Sequence, residues 1–359
     1  MLALDAIKIL MPMALAFFIG ILITRPLLRF LYTHECWKKK AGKKGYAGGE
    51  TPIFNALHKE KEVGTPRMGG VVVWGSVSAT ILGMWLLTYG FGGATLEKFE
   101  FLSRSQTWLP FMALLVGALV GLADDILEVR GTGAHFAGGL PLSKRLIAVG
   151  AVCLFAGWWF YEKLGVSGIA VPFDGMVSLG IFFIPFFVLV GLAIYAGGVI
   201  DGIDGLAGGV FAMIFGAYGV IAFAQHQIDL AAFCATVTGG LLAFLWFNVP
   251  PAKFYLSETG VMGLTLALTI VAFMTDALGG GKGLFALPVI ALPLVITMLS
   301  DVIQVLSKKF RKKKVFLVAP VHHHFEALGV PAHTVTMRYW IFGIICAFLG
   351  VIAALAGGL

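Results

Sequence analysis

The chain has 359 residues, of which 59% are hydrophobic and 13% charged, and its mean hydropathy is +0.92. Soluble domains carry about 25% charged residues, so this composition excludes a water-soluble globular protein. The net charge of +7 and isoelectric point near 9.2 would suit a nucleic-acid ligand. The cations flank apolar segments, however, and that pattern assigns them to topology and anionic membrane lipids, with no nucleic-acid partner.

Apolar runs long enough to cross a hydrocarbon layer recur from end to end. They predict spans at about 9–30, 69–90, 108–123, 146–163, 177–198, 206–224, 230–247, 260–279, 284–306 and 339–357. The expected fold is all-α: one polytopic membrane domain over residues 1–359, with about ten transmembrane helices. The first run ends in Arg25 and Arg29 without a small-residue cleavage site, so it reads as a spanning helix. Residues 91–107 are too mixed to span and are expected along the interface. Fourteen prolines and 47 glycines suit helices that pack closely or break within the membrane. The four cysteines are scattered, without metal-ligand or disulfide spacing.

Ten spans place both termini on one side. Loops at about 34–68, 124–145, 199–205, 248–259 and 307–338 hold nineteen lysines and arginines, against five in the alternate loops. The basic side is therefore expected to be cytoplasmic and the termini extracytoplasmic.

The acids gather on that same side. Asp124 and Asp125 are expected to close the third span, Asp201 and Asp204 to stand between the fifth and sixth, and Glu258 to precede the eighth. A bare surface role for such clusters competes with a functional one, because acids near hydrocarbon need a cationic partner. Oxygen ligands of this kind suit Mg²⁺ with a phosphorylated substrate, and phosphoryl transfer needs its charge neutralised. Asp201 and Asp204 share a face if their turn is helical, and the glycines beside them allow close approach to a ligand. Gly64, Gly69 and Gly70 could form a phosphate-facing loop, although no P-loop pattern is present. Three successive histidines, His322, His323 and His324, follow a basic run and precede Glu326.

These blocks resemble the polyprenyl-phosphate N-acetylhexosamine-1-phosphate transferases. The resemblance runs through Gly64-Thr65-Pro66, Asp124-Asp125, Asp201-Gly202-Ile203-Asp204-Gly205, Phe247-Asn248, Glu258-Thr259-Gly260 and Ala319-Pro320-Val321-His322-His323-His324-Phe325-Glu326. The last block points to the phospho-N-acetylmuramoyl-pentapeptide transferase branch. That resemblance implies Mg²⁺-dependent transfer from UDP-N-acetylmuramoyl-pentapeptide to undecaprenyl phosphate in the bacterial inner membrane, giving lipid I and UMP, and a homodimer. By position it implies Asp124, Asp125, Glu258 and His322 as catalytic, the first three also toward the metal. Asp201, Asp204, Asn248, His323, His324, Lys61 and Arg145 are implied in substrate binding.

The chain departs from the family pattern in several places. Glu258 stands where aspartate is usual, Tyr195-Ala196-Gly197-Gly198 where Asn-Ala-Val-Asn is usual, and Arg67 where threonine is usual. Other readings are a sister transferase using another UDP-N-acetylhexosamine, a binding paralogue without turnover, and a transporter. The grouping of acids at one surface and not at mid-membrane weighs against the transporter.

Overall fold

A segment without water around it must satisfy its backbone internally, and runs of Leu, Ala, Phe and Gly do so as helices. The computed structural model describes residues 2–39, 63–92, 97, 99–103, 105–132, 139–171, 175–278 and 280–356. Its first four helices are α1 (Leu2–Thr33), α2 (Gly70–Phe91), α3 (Trp108–Arg130) and α4 (Leu142–Lys163). A hairpin of β1 (Gly168–Val171) and β2 (Gly175–Ser178) follows, then α5 (Phe183–Gly197), α6 (Leu206–Ala224), α7 (Ile228–Asn248) and α8 (Ser257–Phe273). The chain ends with α9 (Gly283–Ile290), α10 (Leu292–Leu306), the short α11 (Val321–Ala327) and α12 (Ala332–Ala356).

Among the described residues, nine helices are long and apolar enough to cross a membrane. The pair α9 and α10 supplies a tenth crossing if counted as one span, bent by 65°. Pro288 inside α9 and Pro293 at the start of α10 account for the break, since each lacks the amide hydrogen a continuous helix needs. The expected spans all have counterparts, with three corrections. The antiparallel pairing of Gly168–Val171 with Gly175–Ser178 adds a small β-element to the expected all-α fold, and takes the start of the fifth predicted span. The first and last helices begin seven residues earlier than their predicted spans. Finally, α3 continues to Arg130, so Asp124 and Asp125 lie inside a helix and not at its end.

The centre of the bundle is α8. Its span is 94% buried, against 17% for that of α1 and 22% for that of α12. The helices α2, α3, α4, α5 and α6 pack around it. Close approach to α8 relies on missing side chains: a Cβ at Gly121 of α3 would meet the Glu258 backbone, and one at Gly70 of α2 would meet the Gly260 backbone. Threonines of α8 return their hydroxyls to their own helix, with Thr265 donating to the Val261 carbonyl and Thr269 to that of Thr265, both at 2.8 Å. The far end of α8 is tied to the hairpin, where Asp276 Oδ2 accepts the Ala170 amide at 2.8 Å.

Because the Gly121 contact is with backbone, Gly121→Ala is expected to cost at least about 3 kcal/mol. The readout is the thermal unfolding midpoint in detergent. Gly83→Ala, whose methyl would meet no atom of a neighbouring element within 4 Å, should leave that midpoint unchanged or slightly raised.

Candidate active site

The first turn of a helix presents amide hydrogens with no partner in the helix itself. In α8 those donors are met by acids from other elements. Asp125 Oδ2 accepts both the Thr259 amide at 2.9 Å and the Thr259 hydroxyl at 2.5 Å. Asp201 Oδ2 accepts the Ser257 amide at 2.8 Å. Ser257 itself adopts a left-handed conformation, φ +59°, which is sparsely populated by residues with side chains. The Asp201 bond holds that strained entry to the helix.

Beside this start lies the corner where three predicted residues meet. Arg145 Nη1 contacts Glu258 Oε1 at 2.5 Å and Asp124 Oδ2 at 3.8 Å. The phenol of Tyr195 donates to Glu258 Oε2 at 3.1 Å, so the glutamate is held through both oxygens. The Leu140 amide donates to Asp124 Oδ1. A second guanidinium, Arg67, lies 3.4 Å from Asp125 Oδ1 and 3.1 Å from Glu128 Oε2. Glu128 also takes Lys38 at 3.1 Å. Burial opposes the charge on Arg67, but Glu128, Asp125, Asp201 and Glu258 outweigh it and hold its pKa above the ordinary arginine value.

Asp201 and Asp204 do not share a helical face, because the chain between Ile200 and Leu206 is a run of turns. Asp204 Oδ2 accepts the Ala252 amide at 3.1 Å. Asn248 Oδ1 accepts the Gly205 amide at 2.9 Å, and its Nδ2 donates to the Phe254 carbonyl at 2.8 Å. Three residues expected at the substrate thus fasten the 249–257 loop to the 201–205 turn. Gly202 does allow close approach, and what approaches is histidine: a Cβ there would lie 2.6 Å from His322 Nε2 and 2.7 Å from His323 Nε2. Both rings are buried. His323 Nδ1 is 2.7 Å from Glu326 Oε2, a pairing that turns Nε2 toward Gly202. His324 stands a step away, its Nδ1 accepting the Leu317 amide at 3.2 Å. Lys61 lies outside the described residues.

For a hard divalent cation the relevant fact is convergence. Asp124 and Glu258 meet at one guanidinium nitrogen, so their carboxylates already serve a common cation position. Asp125 faces Thr259 and Arg67 instead. No group of three His, Cys, Asp or Glu in ligand geometry occurs among the described residues. Two carboxylates plus substrate phosphate oxygens is nevertheless an ordinary Mg²⁺ arrangement, and the residues fit that role.

Sequence reasoning missed Lys38, Arg67, Glu128, Thr259 and Tyr195 as parts of this network. Glu128 was detectable, since it lies four residues after Asp124 on the same helix face. Lys38 was hidden in a lysine run, and Tyr195 was marked only as a departure from the asparagine usual at its position, with no partner indicated.

Truncating Asn248→Ala would strand the Gly205 amide and the Phe254 carbonyl in a buried setting, at a cost of about 2–4 kcal/mol. Asn248→Asp keeps the acceptor and loses the donor, so its unfolding midpoint is expected between those of wild type and Asn248→Ala.

The chain has relatives among known proteins. The family described as glycosyl transferase family 4 matches residues 107–276, which run from the start of α3 to the end of the α8 span. The phospho-N-acetylmuramoyl-pentapeptide-transferase of Geobacillus sp. (strain WCH70) is 35% identical, covering 81% of this chain and 84% of its own. That of Chloroflexus aurantiacus (strain ATCC 29366 / DSM 635 / J-10-fl) is 32% identical over 99% of this chain and 91% of its own. With a multi-span bundle, an acidic corner at the head of its central helix and relatives of this similarity along nearly its whole length, the chain belongs to the phospho-N-acetylmuramoyl-pentapeptide-transferase family.

Proposed function

We propose that the protein transfers phospho-N-acetylmuramoyl-pentapeptide from its UDP donor to undecaprenyl phosphate, giving lipid I and UMP for peptidoglycan synthesis. The observation that carries this reading is the convergence of Asp124, Arg145 and Glu258 beside the first turn of α8. The protein is a single membrane domain of the bacterial inner membrane. The basic loops and the site face the cytoplasm, and both termini face outward. It works as a homodimer, as the family resemblance implies.

In the reaction, an oxygen of the lipid phosphate attacks the β-phosphorus of the donor. The new oxygen–phosphorus bond forms as the bond from that phosphorus to the bridging oxygen breaks, and UMP leaves with the electron pair. Phosphate monoesters are largely doubly ionised near neutral pH, so the nucleophile needs positioning more than deprotonation, and Asp124 or Asp125 removes the residual proton. Asp124 and Glu258, with Asp125 close behind, would hold Mg²⁺, which when bound would neutralise the diphosphate charge. Arg145 turns its planar fork from the carboxylates to the phosphate oxygens, for which it is well matched. Tyr195 stays on Glu258 Oε2 and leaves Oε1 directed at the cation position. The turn at Asp201 and Asp204, with Asn248, shapes the nucleotide side. His322, His323 and His324 border the diphosphate and sugar, and Lys61 contributes a further positive charge.

UMP release from UDP-N-acetylmuramoyl-pentapeptide should require both undecaprenyl phosphate and Mg²⁺. Nucleotide binding without release would instead identify a binding paralogue. Glu258→Gln is expected to lower turnover at least about a hundredfold, as removal of a charge-stabilising group at a reacting centre does. Tyr195→Phe should raise the half-saturating Mg²⁺ concentration severalfold while turnover at saturating Mg²⁺ stays near wild type. Equal Mg²⁺ dependence in the two proteins would remove Tyr195 from the mechanism.

A further inference from the structure

We infer that the corner following α10, residues 307–314, is a binding site for the headgroup of an anionic phospholipid whose acyl chains lie along the exposed face of α10. The helix is two-sided. Thr297, Ser300 and Gln304 recur at helical spacing and are buried, and Ser307 continues their row. Leu299, Val302, Ile303 and Leu306 form the opposite, exposed row, and Phe310 extends it at 73% exposure. A single helical turn, Ser307–Arg311, then carries Lys308, Lys309 and Arg311, and Lys312 reverses the chain at φ +56°.

The reversal is built and not loose. The Ser307 hydroxyl donates to the Lys313 carbonyl at 2.9 Å. Gln304 Oε1 accepts the Val315 and Phe316 amides at 3.0 Å each, and its Nε2 donates to the Phe316 carbonyl at 2.8 Å. Six cations, Lys308, Lys309, Arg311, Lys312, Lys313 and Lys314, are therefore held on one exposed corner. None forms an ion pair within 4.0 Å with any described residue. Topology alone asks only for positive charge in this loop; it asks for neither a hydrogen-bonded reversal nor an exposed phenylalanine within the charge. Clustered cations at the cytoplasmic end of a spanning helix attract acidic headgroups, and the adjoining apolar row selects a lipid over a soluble anion. The assignment rests on the proposed orientation, with this end of α10 at the inner leaflet.

The site has a route to the histidines. A cavity of about 300 Å³ adjoins the corner, lined by Lys314, Val315, Phe316, Leu317, His324 and Leu328. The Leu317 amide donates to His324 Nδ1 at 3.2 Å. A headgroup on the corner therefore steadies the strap that fixes α11.

The test uses the full chain reconstituted in vesicles of phosphatidylcholine alone or of phosphatidylcholine and phosphatidylglycerol in equal parts. Native mass spectrometry counts retained lipid, and hydrogen exchange follows residues 312–328. Wild type is expected to retain phosphatidylglycerol and to show slowed exchange in that stretch only when it is present. The triple variant Lys308→Gln/Lys309→Gln/Arg311→Gln should lose on the order of tenfold or more in phosphatidylglycerol affinity, with phosphatidylcholine retention unchanged. Phe310→Ala, which keeps every charge, should weaken retention by a smaller factor. Equal phosphatidylglycerol retention by wild type and the triple variant would overturn the proposal, as would displacement of the lipid by excess inorganic phosphate. Neither readout involves UMP release, so failure of the lipid site and failure of the proposed reaction remain separate results.

Discussion

The fold depends on how the first turn of α8 is satisfied. This helix is buried along almost its whole length, so its unpaired amides have no water to turn to. Asp125 on α3 and Asp201 in the turn after α5 take those amides, and negative charge at a helix N-terminus also suits the helix dipole. Two helices are thereby pinned to the centre by the same acids that define the candidate site. Architecture and chemistry share one set of contacts, and the glycines at positions 70 and 121 let the neighbouring backbones come near enough to make them.

Burying so many acids is costly unless each has a cationic partner. Arg67, Arg145 and Lys38 provide those partners, with Glu128 joining two of them. The histidine helix packs against the turn after α5, where Gly202 leaves room for the rings of His322 and His323. Charge balance in the resting protein is thus local, made residue against residue across four helices and two loops.

The spans were legible because hydrocarbon imposes one simple rule on a long apolar run, and the positions of the acids followed from reading where those runs stop. What stayed hidden was geometric. The continuation of α3 past Asp125 depends on Glu128 finding Lys38 and Arg67, partners about 60 to 90 residues earlier in the chain. Asp201, Asp204 and Asn248 carry a recognisable pattern, but only the folded chain reveals that they clasp the 249–257 loop. The hairpin at 168–178 is too short and too apolar to be separated from the helix that follows it. Tyr195 stands out in the sequence only as a departure from the usual asparagine, and its contact with Glu258 emerges from the folded chain.

Arg145 occupies the position that its two acids would otherwise offer to a metal. One guanidinium set between two carboxylates offsets part of their mutual repulsion. The helices that carry Asp124 and Glu258 can therefore close on each other during insertion and folding in the bilayer with a cation of the chain's own between them.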